Sequence, residues 1–250
     1  MARIRPLAHA PIIEALVDLR VHADTTVERL EQALQEKDFG YRRKGPILRG
    51  QFGFVINPQE VPAAQAMPAT TSIVGVRLHS TDEKYVAQIT TAGLTLSRLE
   101  PYQSWDALIE EAQRVWSVYR ECAGPVRIHR TATRFINNLR LPLKSGERLQ
   151  RFLVGLPDMP EDFPQTVSSF LQRFVVRDAP SGATAIFAQS LERFPPEGMP
   201  VPVILDVDVF REGLFPPDGA EVWKFLEELR DLKNRMFFGA LTEQAVELYE

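Results

Sequence analysis

Asp206 and Asp208, in the run Leu205-Asp206-Val207-Asp208-Val209, are the two carboxylates best spaced to act together. Two residues apart on a strand, both side chains leave the same face, where a pair of carboxylates suits Mg²⁺ or shares a proton. The same geometry suits a sheet face whose acids pair with arginines, and no third ligand stands at a spacing that completes a metal site. Glu14, Asp18 and Arg20 likewise share one parity of an early strand, as Arg134, Ile136 and Asn138 share one of a later strand. If those strands are neighbours they assemble a polar cluster, which fits an ion-pair network or an active site.

Histidine and cysteine chemistry is less well provided for. His9, His22, His79 and His129 are scattered, with no pair at metal-ligand spacing and no cysteines to complete a zinc site. His129 lies in a basic stretch and suits a surface or phosphate contact better than a catalytic base. The lone Cys122 has no internal disulfide partner and falls on a helical face, which fits a small apolar filler in a reducing cytoplasm. Phosphate loops, dinucleotide fingerprints, nucleophile elbows and kinase signatures do not occur. No cofactor is expected, and the metal candidates reduce to Asp206 and Asp208.

The net charge of −4 hides an uneven distribution. From Arg114 to Arg151 nine basic residues stand against Glu121 and Glu147, an excess of +7, whereas Glu221 to Glu250 is rich in acids. Arg127, Arg130, Arg134, Asn138 and Arg140, with Glu14, Asp18 and Arg20, are therefore the candidate binding residues. They would form an anion- or nucleic-acid-facing surface, or pair with the acidic region or another copy of the chain. Strand alternation divides these arginines between two faces, which favours pairing over one contiguous patch.

The elements that must position these residues are readable from periodicity. Ile12 to Val21 alternates as a half-buried strand, Asp24 to Thr26 supplies cap chemistry, and Val27, Leu30 and Leu34 follow at helical spacing. Strands are expected at Pro46 to Ile56, Thr71 to Leu78 and Lys84 to Leu99, with a bulge or turn at Ala92-Gly93 and a Pro/Ala-rich loop over Val61 to Thr70. Ser104 opens a helix whose apolar stripe ends at Gly124-Pro125. The order then restarts: strand Arg130 to Leu141, short helix Glu147 to Val154, strands Thr166 to Arg177, Ala183 to Leu191 and Val203 to Phe210, and a helix opening near Asp218. The apolar tail Phe237 to Tyr249, with Thr242 capping a final short helix, closes the core or meets another subunit.

This order predicts an α+β protein with two pseudo-symmetric strand-helix-strands-helix repeats, residues 1–125 and 126–250. They would form one composite antiparallel sheet of about eight strands, with four helices covering one face. Each half resembles the repeat of the TATA-box-binding-protein-like fold in element order, which implies a free concave face opposite the helices; fold alone implies no function.

The runs His9-Ala10-Pro11-Ile12-Ile13-Glu14-Ala15, Arg134-Phe135-Ile136-Asn137-Asn138 and Phe237-Phe238-Gly239-Ala240-Leu241-Thr242-Glu243 resemble a sporadically distributed bacterial protein family of about this length. That resemblance implies a bacterial cytoplasmic protein of an accessory or horizontally moving gene, and it brings no catalytic residues. Hydrophobic content of 44% and charged content of 25% fit an ordinary globular chain, and no apolar run reaches membrane-span length. An export signal is not expected, because Glu14 and Asp18 interrupt the apolar stretch behind the basic start.

Three functional classes follow. The first is a non-enzymatic interaction protein binding a protein partner or its own copy through an open sheet face. The alternative is a nucleic-acid-binding protein using the arginine-rich middle, against which the pI of about 5.7 counts. The third is a metal-dependent enzyme acting on an anionic small molecule through Asp206 and Asp208.

Overall fold

Alternation along the first strand becomes β1 (Ile12–His22), with Ala15, Val17, Leu19 and Val21 buried on one side. The computed structural model describes residues 2–51, 54–55, 65–66, 70–143, 147–156, 160, 162–164, 167–196 and 198–250. After β1 come α1 (Val27–Gln35), β2 (Tyr41–Gln51), a small separate pair β3 (Phe54–Val55) and β4 (Gln65–Ala66), then β5 (Thr70–Ser80), β6 (Tyr85–Thr90), β7 (Gly93–Leu99) and α2 (Trp105–Ala123). The chain continues through β8 (Arg127–Leu141), β9 (Phe170–Asp178), β10 (Ala183–Leu191), β11 (Val201–Phe215), α3 (Glu221–Gly239) and α4 (Glu243–Val246). The fold is α+β, with nine strands in one antiparallel sheet ordered β2-β5-β6-β7-β1-β8-β11-β10-β9.

Pairing of β1 with β8 places two polar runs far apart in sequence side by side, with Arg20 opposite Arg130 and Leu16 opposite Arg134. Outward from that pair stand β7, β6, β5 and β2 on one side and β11, β10 and β9 on the other. The two long helices lie on the face of Ala15 and Phe135. Trp105 of α2 stacks with Phe135 at 6.2 Å, and Lys233 of α3 stands 3.8 Å from the same ring. Trp105, Leu108, Ala112, Val115, Trp116 and Tyr119 of α2 are buried, each large side chain contributing roughly 1.5–3 kcal/mol.

Local rules explain the boundaries. The Ser104 hydroxyl accepts the Ala107 N–H at 3.2 Å to cap α2, and Gly124 ends it in the left-handed region (φ 56°). Thr242 caps α4 in the same way through the Ala245 N–H. Gly93 (φ 145°) opens β7, and any Cβ there would stand 2.1 Å from the Leu19 carbonyl oxygen of β1.

Several boundaries differ from expectation. Of the bulge or turn expected near Ala92-Gly93 the structure has the turn, at Thr91-Ala92, which divides Lys84 to Leu99 into β6 and β7. The sheet has nine strands rather than about eight. Instead of a helix over Glu147 to Val154, a single 3-10 turn spans Leu149–Arg151, and Leu153 bridges to Leu241. β11 extends to Phe215, beyond Phe210, and β9 begins at Phe170, the expected start at Thr166 lying outside the described residues. Most of the expected loop over Val61 to Thr70, and the end of the strand expected at Ile56, lie outside the described residues. The apolar tail closes the chain's own fold: Phe237, Phe238, Leu241, Val246 and Tyr249 are all buried.

Candidate functional site

Antiparallel register decides which side chains meet. Along β8 the residues Thr131, Thr133, Phe135, Asn137 and Leu139 are buried on the helix side, so Arg130, Arg134, Asn138 and Arg140 project to the other face. Register puts Asp206 opposite Ile136 and Asp208 opposite Arg134 on that same face. Glu14, Asp18 and Arg20 of β1 join them, since Asp18 lies opposite Ala132. No described helix packs on this face.

At its centre the charges interlock across three adjacent strands. Asp18, 4% exposed, is the hub: its oxygens receive the Arg20 Nε at 2.9 Å, the Arg130 Nη1 at 2.9 Å and the Thr95 hydroxyl at 2.6 Å. Arg130 reaches on to Asp208 at 3.6 Å and lies over the Phe210 ring at 4.3 Å. Arg134 donates two parallel bonds to Asp206, at 2.8 and 2.5 Å, a fork matched to a carboxylate. Burial raises the Asp208 carboxyl above its ordinary range, opposed by Arg130 and Arg134. The Asp206 bonds in turn raise the Arg134 guanidinium, which stays charged.

Of the candidate residues read from sequence, Asp18, Arg20, Arg130, Arg134, Asp206 and Asp208 therefore come together. Glu14 lies alongside and adds to the field at Arg134. Asn138 serves the backbone, donating its N–H to the Pro11 carbonyl at 2.8 Å, and its amide oxygen is buried without a hydrogen-bond partner among the described residues. Arg140 is exposed and gives its backbone N–H to the Tyr249 hydroxyl. Arg127 sits exposed at the strand's start opposite His22, away from the network. The neighbouring His129 ring lies tilted against His22, centroids 4.6 Å apart, and burial lowers its pKa.

Asp206 and Asp208 are thus engaged by arginines. Among the described residues no group of three or more His, Cys, Asp or Glu side chains is placed to hold a metal. A cleft of about 520 Å³ lies elsewhere, lined by Ser117, Arg120, Gly124, Pro217 and Asp218. Three carboxylates against three guanidiniums leave the network near neutral, yet each guanidinium has five N–H donors and the ion pairs use only some of them. Arg77, Arg140, Arg173 and Arg177 share this face at greater distance from the centre. All four are exposed, and none has an ion pair among the described residues. The arrangement is suited to electrostatic recognition of carboxylate or phosphate groups.

Two contributors escaped the sequence reading. Thr95 comes from β7, whose position beside β1 only the register reveals. Phe210, under the Arg130 guanidinium, is the other; outside the site, on the helix side of the sheet, the buried Lys233 was missed as well. Its signal is the spacing Val222, Leu226, Leu229, Lys233, Phe237, a core stripe with a lysine in one place.

Two of the three runs quoted above, at 9–15 and 134–138, meet each other, and the third, at 237–243, meets the start of the chain. Asn138 bonds Pro11, Ala2 donates to the Leu241 carbonyl at 2.9 Å, and Arg5 pairs with Glu243 at 2.7 Å. In comparison with known proteins, the chain matches no family model and no curated protein.

Proposed function

We propose that this protein is a non-enzymatic interaction module that binds an acidic surface of a protein partner, or of a second copy, through the helix-free face of its sheet. The observation that carries this reading is the Asp18-centred network: every acid on it is held by arginines, and exposed arginines surround it. Such a surface offers guanidinium forks and orientation, and no nucleophile or metal seat. The outward strand order from β1 and β8 supports a doubled, saddle-like unit of the TATA-box-binding-protein-like kind, with this face as its working surface. The resemblance to a sporadic bacterial family supports a cytoplasmic role in an accessory system.

Nucleic acid is the second reading, supported by the same exposed arginines. The test is affinity capture from a lysate of the source organism, with and without nuclease, using wild type and the double variant Arg77→Glu, Arg140→Glu. A stoichiometric, nuclease-resistant protein captured by the wild type and lost with the variant is the expected result. Capture that disappears on nuclease treatment would transfer the site to nucleic acid, and capture unaffected by the variant would remove the face from the interaction.

A further inference from the structure

The two edges of the sheet are built differently. β2 is guarded: Pro46 removes a backbone donor, and the pairing with β5 breaks register between Arg43 and Gly45 and between Ile47 and Leu48. Arg42, Arg43, Lys44 and Arg49 add exposed charge along it. These are the features by which edge strands avoid joining other chains.

β9, at the opposite edge, has neither the proline nor the register breaks, and its exposed charges are two arginines, Arg173 and Arg177. It pairs with β10 over nine unbroken positions from Phe170 to Asp178 and contains no proline, glycine or lysine. Its apolar side chains are exposed on both faces: Leu171 at 73% and Val175 at 56% on one, Phe174 at 49% and Val176 at 45% on the other. An edge of this kind presents a row of backbone donors and acceptors beside unpaired apolar side chains.

We infer that β9 is a self-association site, at which a second copy of the chain adds its own β9 in antiparallel pairing and continues the sheet across a two-fold axis at Phe174. Charge and length select this occupant and register. An antiparallel two-fold pair sets each residue opposite one of the same facing, so the axis passes through a residue. Centred on Phe174, the whole of β9 pairs, along about 30 Å of strand at roughly 3.3 Å per residue. Phe174 then meets its own copy, Gln172 meets Val176, Arg173 meets Val175, Leu171 meets Arg177 and, at the ends, Phe170 meets Asp178. No like charges oppose each other, and both arginines lay their aliphatic stems against apolar neighbours.

The adjacent registers fail on the same criteria. Centred on Val175, Arg173 stands opposite Arg177; centred on Arg173, that residue faces itself. Both also leave strand ends unpaired. On the helix side Phe174 is already supported by Phe187, the rings 6.5 Å apart, so the residue at the axis is braced from behind.

Sedimentation of the full chain from low to high micromolar concentration tests this. The expected species has twice the 28.3 kDa mass of one chain, and Phe174→Lys weakens its formation roughly a hundredfold. Val175→Lys, an independent exposed substitution, does the same. Both variants keep the wild-type circular-dichroism spectrum. In a Cys122→Ser background, Phe174→Cys forms a disulfide-linked dimer on oxidation, since only a residue on the axis meets itself. A strictly monomeric wild type overturns the proposal, as does a dimer that survives Phe174→Lys or fails to cross-link at position 174. Dimerisation unaffected by Arg77→Glu and Arg140→Glu separates this edge from the open-face reading above.

Discussion

On one side of β8, Lys233 of α3 holds its ammonium 3.8 Å from the Phe135 ring, and no carboxylate among the described residues pairs with it. Its ammonium donates instead to the neighbouring Asn234, whose side-chain oxygen accepts from Nζ at 2.6 Å. On the other side Arg134, next along the strand from Phe135, is locked to Asp206, and Arg130 to Asp18. The unpaired cation gives way: burial pushes the Lys233 pKa down to about 7, with Arg230 adding to the shift. The paired face keeps its charges by supplying opposite ones. The same sheet therefore shows both responses to a desolvated charge, neutralisation on the helix side and compensation on the open one.

The largest effect expected from breaking the compensated side is at its hub. Asp18→Ala leaves Arg130 and Arg20 without their common acceptor, and removal of one member of a buried ion pair costs about 3–5 kcal/mol. Urea denaturation of wild type and variant measures it. A loss near that of an exposed pair, below about 1 kcal/mol, would show that water reaches the hub and that compensation is not what holds it.

Much of the compensated side was legible in the chain, and the reason is parity. Alternation at Glu14, Asp18 and Arg20, and at Arg134 and Asn138, already assigns each side chain to a face, because strand geometry has a period of two. Adjacency of β1 and β8 was an expectation from repeated element order, and the register then set Asp18 beside Arg130. The caps Ser104 and Thr242 were legible for a similarly local reason. Thr95 and Phe210 were not legible as network members, since their roles depend on which strands lie beside β1 and β8. The uncompensated side was hidden by local composition: Lys233-Asn234-Arg235 reads as a solvated helix face, although its spacing from Leu229 and Phe237 places Lys233 in the buried stripe. The extra length of β11 escaped because Arg211, Glu212 and Gly213 interrupt the apolar alternation that marked its beginning.

Lys233 supplies the second test, of intermediate size and opposite sign. Lys233→Met keeps the volume of the chain over Phe135 and removes a charge the fold desolvates, so the variant should be more stable at pH 7 by about 1–3 kcal/mol. The sign with pH is fixed by the depressed value. Below pH 7 the lysine is protonated in both folded and unfolded chains. Between about 7 and 10.5 the unfolded chain holds the proton that the folded chain has released, so wild-type stability rises with pH across that window. The variant should lack that rise, and parallel urea titrations at pH 7 and pH 9.5 decide it. A rise of equal size in the variant would assign the titration to another group and return Lys233 to the status of an ordinary solvated cation.

The smallest effect sharpens the comparison most, because it asks whether compensation at Asp18 is shared or comes from the arginines alone. Thr95→Val keeps the side-chain shape and removes the hydroxyl that donates to the Asp18 carboxylate at 2.6 Å, while both arginine bonds remain. A hydrogen bond to a charged acceptor contributes about 1.5–3 kcal/mol when it is the group's main support. With two guanidiniums still in place, the expected loss is about 1 kcal/mol. The decisive measurement is the cycle with Asp18→Ala: if Thr95 acts through the carboxylate, its substitution should cost almost nothing once that carboxylate is gone. Equal losses in both backgrounds would mean that Thr95 stabilises β7 on its own account. The buried acid would then be held by Arg20 and Arg130 unaided, and the open face would depend on β1, β8 and β11 with no contribution from the strand on their other flank.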